Sequence, residues 1–85
     1  MHMNRENTIV FLALIMSAMD ECHEGPSGAM YAALGDHMSL HEYQQILAMA
    51  ERLGWIENNA HWLTLTAEGS VKATQFTMAL NKITA

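Results

Sequence analysis

The chain has 85 residues, of which 51% are hydrophobic and only 15% are charged. A chain of this length forms one domain and buries roughly 60–65% of the surface that it exposes when unfolded. Nine acidic and four basic residues give a net charge of −5, which disfavours non-specific attraction to nucleic acid or to anionic membranes. A domain this small cannot bury so much apolar surface by itself. The composition therefore predicts that a partner chain, most simply a second copy, covers part of the surface.

The single cysteine and the apolar N-terminal region both indicate in which cellular compartment the protein is expected. Because Cys22 is the one cysteine, no internal disulfide can form, and we expect a cytoplasmic protein. The apolar run from Ile9 to Met16 is too short to span a bilayer, which takes about 20 residues. Glu6 cancels the charge of Arg5 and no clear cleavage site follows, so we expect a buried first helix rather than a signal peptide.

The first half of the chain predicts two helices separated by a loop. Residues 5 to 22 are apolar almost all round, which is typical of a central core helix or of one that also packs across an interface. Gly, Pro and Ser cluster between Glu24 and Gly28, which indicates a loop. A short helix is then predicted from Ala29 to Leu34, where Gly35 suits a left-handed C-terminal stop.

The second half predicts a third helix, a hairpin and a last helix. Ser39 and Glu42 match the capping-box pattern at the start of the third helix, and Gly54 ends it. The alternation that follows predicts two short strands joined at Asn58-Asn59. The predicted last helix, residues 67 to 83, is preceded by Thr66 as a cap. The fold class is therefore mainly α with a small β-hairpin, in the order α-α-α-β-β-α.

Two motifs resemble a known family. Leu53-Gly54-Trp55-Ile56, followed by Leu63-Thr64-Leu65-Thr66-Ala67-Glu68-Gly69, is similar to the "LGLI … LTxxG" stretch of winged helix-turn-helix proteins, such as regulators of the MarR, PadR and ArsR types. The resemblance covers residues 27 to 71 of a single domain, 1–85, with flanking helices at 5–22 and 67–83. It implies that the third helix enters a DNA groove and that residues 57–61 form the tip of the wing. The groove-facing positions that it implies are Ser39, His41, Glu42, Gln44, Gln45 and Ala48.

The charges on these elements favour another function. The wing carries Glu57 and two Asn without Lys or Arg, and the third helix offers only Arg52, opposed by Glu42 and Glu51. A useful DNA complex needs several phosphate contacts. We therefore expect a non-catalytic homodimer that binds another protein. The alternative is a small transcriptional regulator that reads a palindromic DNA site, because Gln44 and Gln45 are of the type that reads adenine edges.

Two surfaces are predicted from these patterns. Strand alternation turns Trp62 outward, either as a binding anchor or as a ring packed on Trp55 or the last helix. The possible interaction surface comprises Ser39, His41, Gln44, Gln45, Arg52, Asn58, Asn59 and Trp62. The possible dimer surface comprises Phe11, Ile15, Met19, Phe76, Leu80 and Ile83. Most of the methionines, Met78 among them, are expected to fill the core, whereas Met38 is expected to be exposed.

Catalysis, cofactors and metals have weak signals. No pattern supplies a nucleophile beside an oriented base or a Gly-rich phosphate loop, so we expect neither an enzyme nor a cofactor. Cys22 and His23 are adjacent and point about 100° apart on a helix, so they do not readily share a metal ion. His37 and His41 have the spacing of helical metal ligands, but the cap at Ser39 places His37 outside the helix. A metal or pH sensor is the third hypothesis.

Overall fold

The computed structural model describes residues 5–34 and 38–84, with the side chains of residues 7–34 and 38–82. Its elements in chain order are α1 (Arg5–Cys22), β1 (Glu24–Pro26), α2 (Ser27–Leu34), α3 (Leu40–Arg52), β2 (Ile56–Asn59), β3 (Trp62–Leu65) and α4 (Ala67–Thr84). Within these ranges, four helices and one small antiparallel sheet confirm the predicted mainly α class. The observed order is α-β-α-α-β-β-α, which differs from the predicted order α-α-α-β-β-α by the added strand β1.

The strand β1 lies where the sequence predicted a loop. It forms one edge of a three-stranded sheet of order β1-β3-β2, with Gly25 opposite Leu63 and Pro26 opposite Trp62. The edge position explains why proline is tolerated, because its missing N–H faces away from β3. His23, at a φ of 64°, turns the chain from α1 into β1. Its N–H donates to the Met19 carbonyl at 2.7 Å, which closes the end of α1.

The hairpin turn is displaced from its predicted position. Asn58 and Asn59 belong to β2, where Asn59 pairs with Trp62, so the two-residue loop is Ala60-His61. Ala60 and His61 have φ values of 51° and 67°. Two-residue hairpin loops with both residues at positive φ match the twist of the strands, but they favour Asn and Gly. The turn is therefore set by the pairing of β2 with β3, against the local preference of its own residues.

Replacing Ala60-His61 with Asn-Gly is expected to stabilise the protein. The free energy of unfolding should rise by about 1–2 kcal/mol, because the left-handed conformation costs an ordinary residue about that much and glycine much less. Urea unfolding of the A60N/H61G variant measures the change. Gly54 is the control of opposite sign: at a φ of 80°, Gly54→Ala should lower stability by about 1 kcal/mol. An unchanged midpoint for A60N/H61G would contradict the strain argument.

The core lies between α1, α3 and the inner face of the sheet. Its fully buried large side chains are Ile15, Met16, Met19, Tyr43, Ile46, Ile56 and Leu63. Met38 is also buried, contrary to expectation, because it precedes the cap of α3 in the hydrophobic-staple position and joins the same cluster as Tyr43. Met78 is 58% exposed, again contrary to expectation, because Ala73 and Phe76 define the inner face of α4.

The helix caps predicted from sequence are confirmed. The Ser39 hydroxyl accepts from the Glu42 N–H, while a Glu42 carboxylate oxygen accepts from the Ser39 N–H. At the other end of α3, Gly54 adopts a left-handed conformation and its N–H donates to the Glu51 carbonyl. The Thr66 hydroxyl caps α4 by accepting from the Gly69 N–H at 2.9 Å. These caps bring the end of α3 and the start of α4 together around the Trp55 carbonyl, which accepts from the Thr66 N–H.

Candidate interaction surfaces

The outer face of α3 presents most of the predicted interaction residues. Its inner face is buried through Tyr43, Ile46, Leu47 and Ala50, which leaves the intervening positions outside. Ser39, His41, Gln44, Gln45, Ala48 and Arg52 are all exposed. The Ser39 hydroxyl is engaged in the cap of α3, so it is committed to the helix rather than free for a ligand.

The two glutamines of α3 line two neighbouring depressions that share Ala48. Gln44 lies with Ala48 and Glu51 in a crevice of about 160 Å³ that is closed on its other side by Asn58 and His61. Gln45 instead lies in a depression of about 310 Å³ between α3 and α1, together with Thr8, Met49 and Arg52. Adjacent residues on a helix point about 100° apart, which explains the division. The two side chains therefore enter different depressions, which meet at Ala48.

The charges around α3 and the hairpin are mainly negative. Glu42 and Glu51 lie on α3 and Glu57 lies on β2, whereas Arg52 is the one Lys or Arg on these elements. Glu51 itself borders the crevice between α3 and the hairpin. Carboxylates therefore outnumber Lys and Arg three to one on these elements, which disfavours the approach of a phosphate backbone. Residues of α3 and of the hairpin border the same crevice, so the two elements lie together.

A second open surface lies on the sheet. The strand register places six residues on one face, which we call the outer sheet face: Glu24, Pro26, Glu57, Asn59, Trp62 and Thr64. Trp62, on the central strand, is 46% exposed, as alternation predicted. Asn58 projects to the opposite face, toward the crevice beside α3. The predicted interaction residues thus divide between two surfaces, with Asn59 and Trp62 on the outer sheet face.

The two tryptophans have contrasting surroundings. Trp55 is partly buried, with its ring centroid 6.0 Å from that of Phe76 and 5.9 Å from the Lys72 ammonium. Among the residues that the structure describes, Trp62 has neither an aromatic partner nor a cation over its ring. The alternative interpretation, in which Trp62 packs on Trp55, is therefore not what the structure shows. Glu24 and Pro26 beside it were not among the predicted interaction residues, because the cluster of Gly, Pro and Ser indicated a loop where β1 lies.

The predicted dimer surface is largely internal to one chain. Ile15 and Met19 are completely buried, and Phe11, Phe76 and Leu80 are half-buried; the Ile83 side chain lies outside the described residues. The prediction was wrong for Ile15 and Met19 because they face the core formed with α3. α1 and α4 also bind each other within the chain, where the Thr77 hydroxyl donates to an Asp20 carboxylate oxygen at 3.1 Å. The exposed apolar side chains of these helices are instead Ile9, Val10, Val71 and Met78.

Tyr43 links α3 to the start of α2 beneath these surfaces and predicts an alkaline loss of stability. Its hydroxyl donates to the Ser27 carbonyl at 2.9 Å. Burial raises the pKa of the Tyr43 phenol above its ordinary value, although the Ser27 side chain acts to lower it. The contribution of Tyr43 to stability is fully present below the pKa of tyrosine in the unfolded state, about 10. It is lost as the pH rises through the higher pKa of the folded state.

Tyr43→Phe should therefore flatten the decline in unfolding free energy above about pH 10, measured by urea unfolding across this range. At neutral pH the same variant should lose about 1 kcal/mol, the contribution of a typical hydrogen bond. A variant with the wild-type alkaline slope would show that another group controls the decline.

Metal ligation finds no support in the described part of the chain. No group of three His, Cys, Asp or Glu side chains lies close enough to hold an ion among residues 7–34 and 38–82. His37, one member of the predicted His37–His41 spacing, lies outside the described residues. The exposed Cys22 thiol donates to the Ala18 carbonyl of its own helix at 3.4 Å. Over the described ranges, moreover, no helix combines the length and apolar character needed to cross a bilayer.

Comparisons with protein-family models, curated proteins and solved structures found no match to this chain.

Proposed function

We propose that this protein is a non-catalytic, cytoplasmic winged-helix module that works as a homodimer and binds another protein. The observation that carries the proposal is the half-exposed Trp62 on the outer sheet face. In addition, α3 and the hairpin together bear three carboxylates against one Arg. Tryptophan is enriched among the residues that dominate protein–protein binding energy. Phosphate binding instead requires several Lys or Arg side chains, which these elements lack.

The experiment that tests the proposal is fluorescence anisotropy of a labelled generic duplex titrated with the protein from low to physiological salt. We expect no saturable binding even at low salt, because the carboxylates on α3 and β2 oppose the phosphates. Binding that weakens steeply as salt is added would reveal a phosphate footprint. That result would reject protein binding as the main function and favour the regulator.

The dimer in this proposal is supported by the outer face of α4. Glu68, Val71, Gln75, Met78 and Lys82 are all exposed and follow each other at intervals of three, four, three and four residues. This is the spacing of the contact seam in a coiled coil. Val71 and Met78, each 58% exposed, lie on either side of the central Gln75, and the two ends of the seam are charged. We call these five residues the α4 seam.

The charges of the α4 seam favour antiparallel pairing of two copies. A two-fold axis at Gln75 places Glu68 opposite Lys82 of the second copy, and the reverse pair forms at the other end. Parallel pairing would oppose like charges at both ends. Covering the seam would also remove Val71 and Met78 from water, which accounts for apolar surface that a monomer leaves exposed.

Charge reversal tests this arrangement. Glu68→Lys and Lys82→Glu should each weaken dimerisation about tenfold, because each change creates two like-charge pairs worth roughly 0.5–1 kcal/mol apiece. The double variant E68K/K82E should restore the wild-type dissociation constant, as measured by sedimentation equilibrium. Glu57→Lys on the sheet provides a control with the same change of net charge as Glu68→Lys. A monomeric wild-type protein at micromolar concentration, or no recovery in the double variant, would reject the seam.

The alternative function, a dimeric regulator of a palindromic DNA site, is favoured by one observation. Gln44 and Gln45 are both exposed on α3, the helix that the family inserts into the major groove. If the regulator hypothesis holds, Gln44→Ala with Gln45→Ala should abolish sequence preference in a binding-site selection. Selection of the same site by the double variant would exclude these contacts.

A further inference from the structure

The surroundings of Trp62 on the outer sheet face suit a cation. Trp62 is directly opposite Pro26 on one side and Asn59 on the other. Two residues along the neighbouring strands, Glu24 and Glu57 occupy the diagonal positions, which lie about 7–8 Å from the central residue in an antiparallel sheet. The indole ring thus has one exposed carboxylate diagonal to it on each neighbouring strand, within reach of one Lys or Arg side chain.

The chain does not fill this position itself. None of the six residues of the outer sheet face is basic, and the described Lys and Arg side chains belong to α3 and α4. Elsewhere in this protein a lysine does lie over a tryptophan ring: the Lys72 ammonium is 5.9 Å from the centroid of the Trp55 ring. A cation over an indole ring is attracted by the ring face, and an adjacent carboxylate adds a charge-assisted hydrogen bond. Trp62 offers the same interaction to a partner.

An apolar groove continues from this face around the edge of β1. It has a volume of about 320 Å³ and lies between β1, α1 and α2. Small apolar side chains and Met30 line it; of the described residues in its lining, Glu21 and Glu24 are charged and none is Lys or Arg. Glu24 and Pro26 belong both to the groove and to the outer sheet face. The groove and the outer sheet face therefore form one continuous surface. Its groove is lined mainly by apolar side chains, and its charged residues are acidic.

We infer that this continuous surface binds a basic, amphipathic segment of the partner protein, with an Arg or Lys over Trp62 and an apolar side chain in the groove. The inference rests on the proposed function and specifies its partner. Charge complementarity selects the occupant, because Glu21, Glu24 and Glu57 disfavour an acidic segment or a phosphate backbone. It also places the main contact on the sheet rather than on α3.

The test uses a fluorescein-labelled amphipathic peptide of Leu, Ala and Arg, titrated with the full-length protein and followed by anisotropy. The same peptide with Gln in place of Arg should not bind detectably. Glu24→Gln with Glu57→Gln should weaken binding about tenfold, which corresponds to the loss of two exposed charge contacts. Trp62→Ala should weaken it at least about tenfold, as for an interface anchor. The Trp62 indole N–H resonance should shift on addition of the peptide to the wild-type protein.

A matched control separates this site from general acidity. Glu42→Gln with Glu51→Gln changes the net charge equally but lies on α3, so it should alter peptide binding less than about twofold. Equal weakening by both double variants, or no shift of the Trp62 resonance, would overturn the sheet site. If the peptide binds and only the α3 pair weakens it, the proposed protein binding stands and this inference fails. If duplex DNA binds and the peptide does not, the proposed function itself fails.

Discussion

Gly69→Ala should destabilise the protein by about 3 kcal/mol or more, which is a large part of the roughly 4–13 kcal/mol expected for a domain of 85 residues. A Cβ atom at Gly69 would overlap the Trp55 carbonyl oxygen and lie 2.6 Å from its carbon. This backbone cannot move freely, because the Trp55 carbonyl also accepts from the Thr66 N–H and hydroxyl. The first turn of α4 would have to separate from the end of α3.

Gly28→Ala is the matched control for that variant. Gly28 also lies in a helix, but a Cβ atom built there meets nothing within 4 Å. Alanine should therefore stabilise α2 by up to about 1 kcal/mol through its helix propensity. Urea unfolding of both variants, monitored by circular dichroism, compares them directly. A Gly69→Ala variant as stable as Gly28→Ala would show that α3 and α4 do not meet at the Trp55 carbonyl.

Ile15→Ala should lower the free energy of unfolding by about 2–5 kcal/mol, the range for removing a large aliphatic side chain from a close-packed core. Ile15 is completely buried, among the side chains of α1, α3 and the sheet. The loss arises within one chain, so it should be the same at low and high protein concentration. If Ile15 lay on a dimer surface, as its sequence pattern predicted, the loss should instead depend on concentration.

Ile9→Ala makes the same change six residues earlier on the same helix. Ile9 is 56% exposed, so its replacement should alter stability by no more than about 0.5 kcal/mol. Comparing the two unfolding curves at two protein concentrations separates core packing from association. Equal losses in both variants would mean that α1 presents a different face to the core.

The interaction surfaces were predicted in part from the sequence. Exposure of Gln44, Gln45 and Trp62 follows from helical or strand periodicity, and the structure has all three outside. That Gln44 and Gln45 enter different depressions, and that Glu24 and Glu57 lie diagonal to Trp62, depends on which elements adjoin them. Helix α1 shows the same limit: because it is apolar almost all round, its pattern does not indicate which side meets the core.

The sequence by itself determined the features that are stabilised by residues a few positions apart. The capping box of Ser39 and Glu42, the stop at Gly54 and the cap at Thr66 all depend on hydrogen bonds within about one helical turn, and all are present in the structure. Tertiary structure decided β1 and the turn at Ala60-His61. Both run against local preference, since proline disfavours a strand and neither turn residue favours positive φ. Pairing with the central strand β3 supplies the hydrogen bonds that outweigh those preferences. For β1 the partners are nearly 40 positions away, as Gly25 and Leu63 are, whereas the turn is fixed by the register of the neighbouring strands β2 and β3.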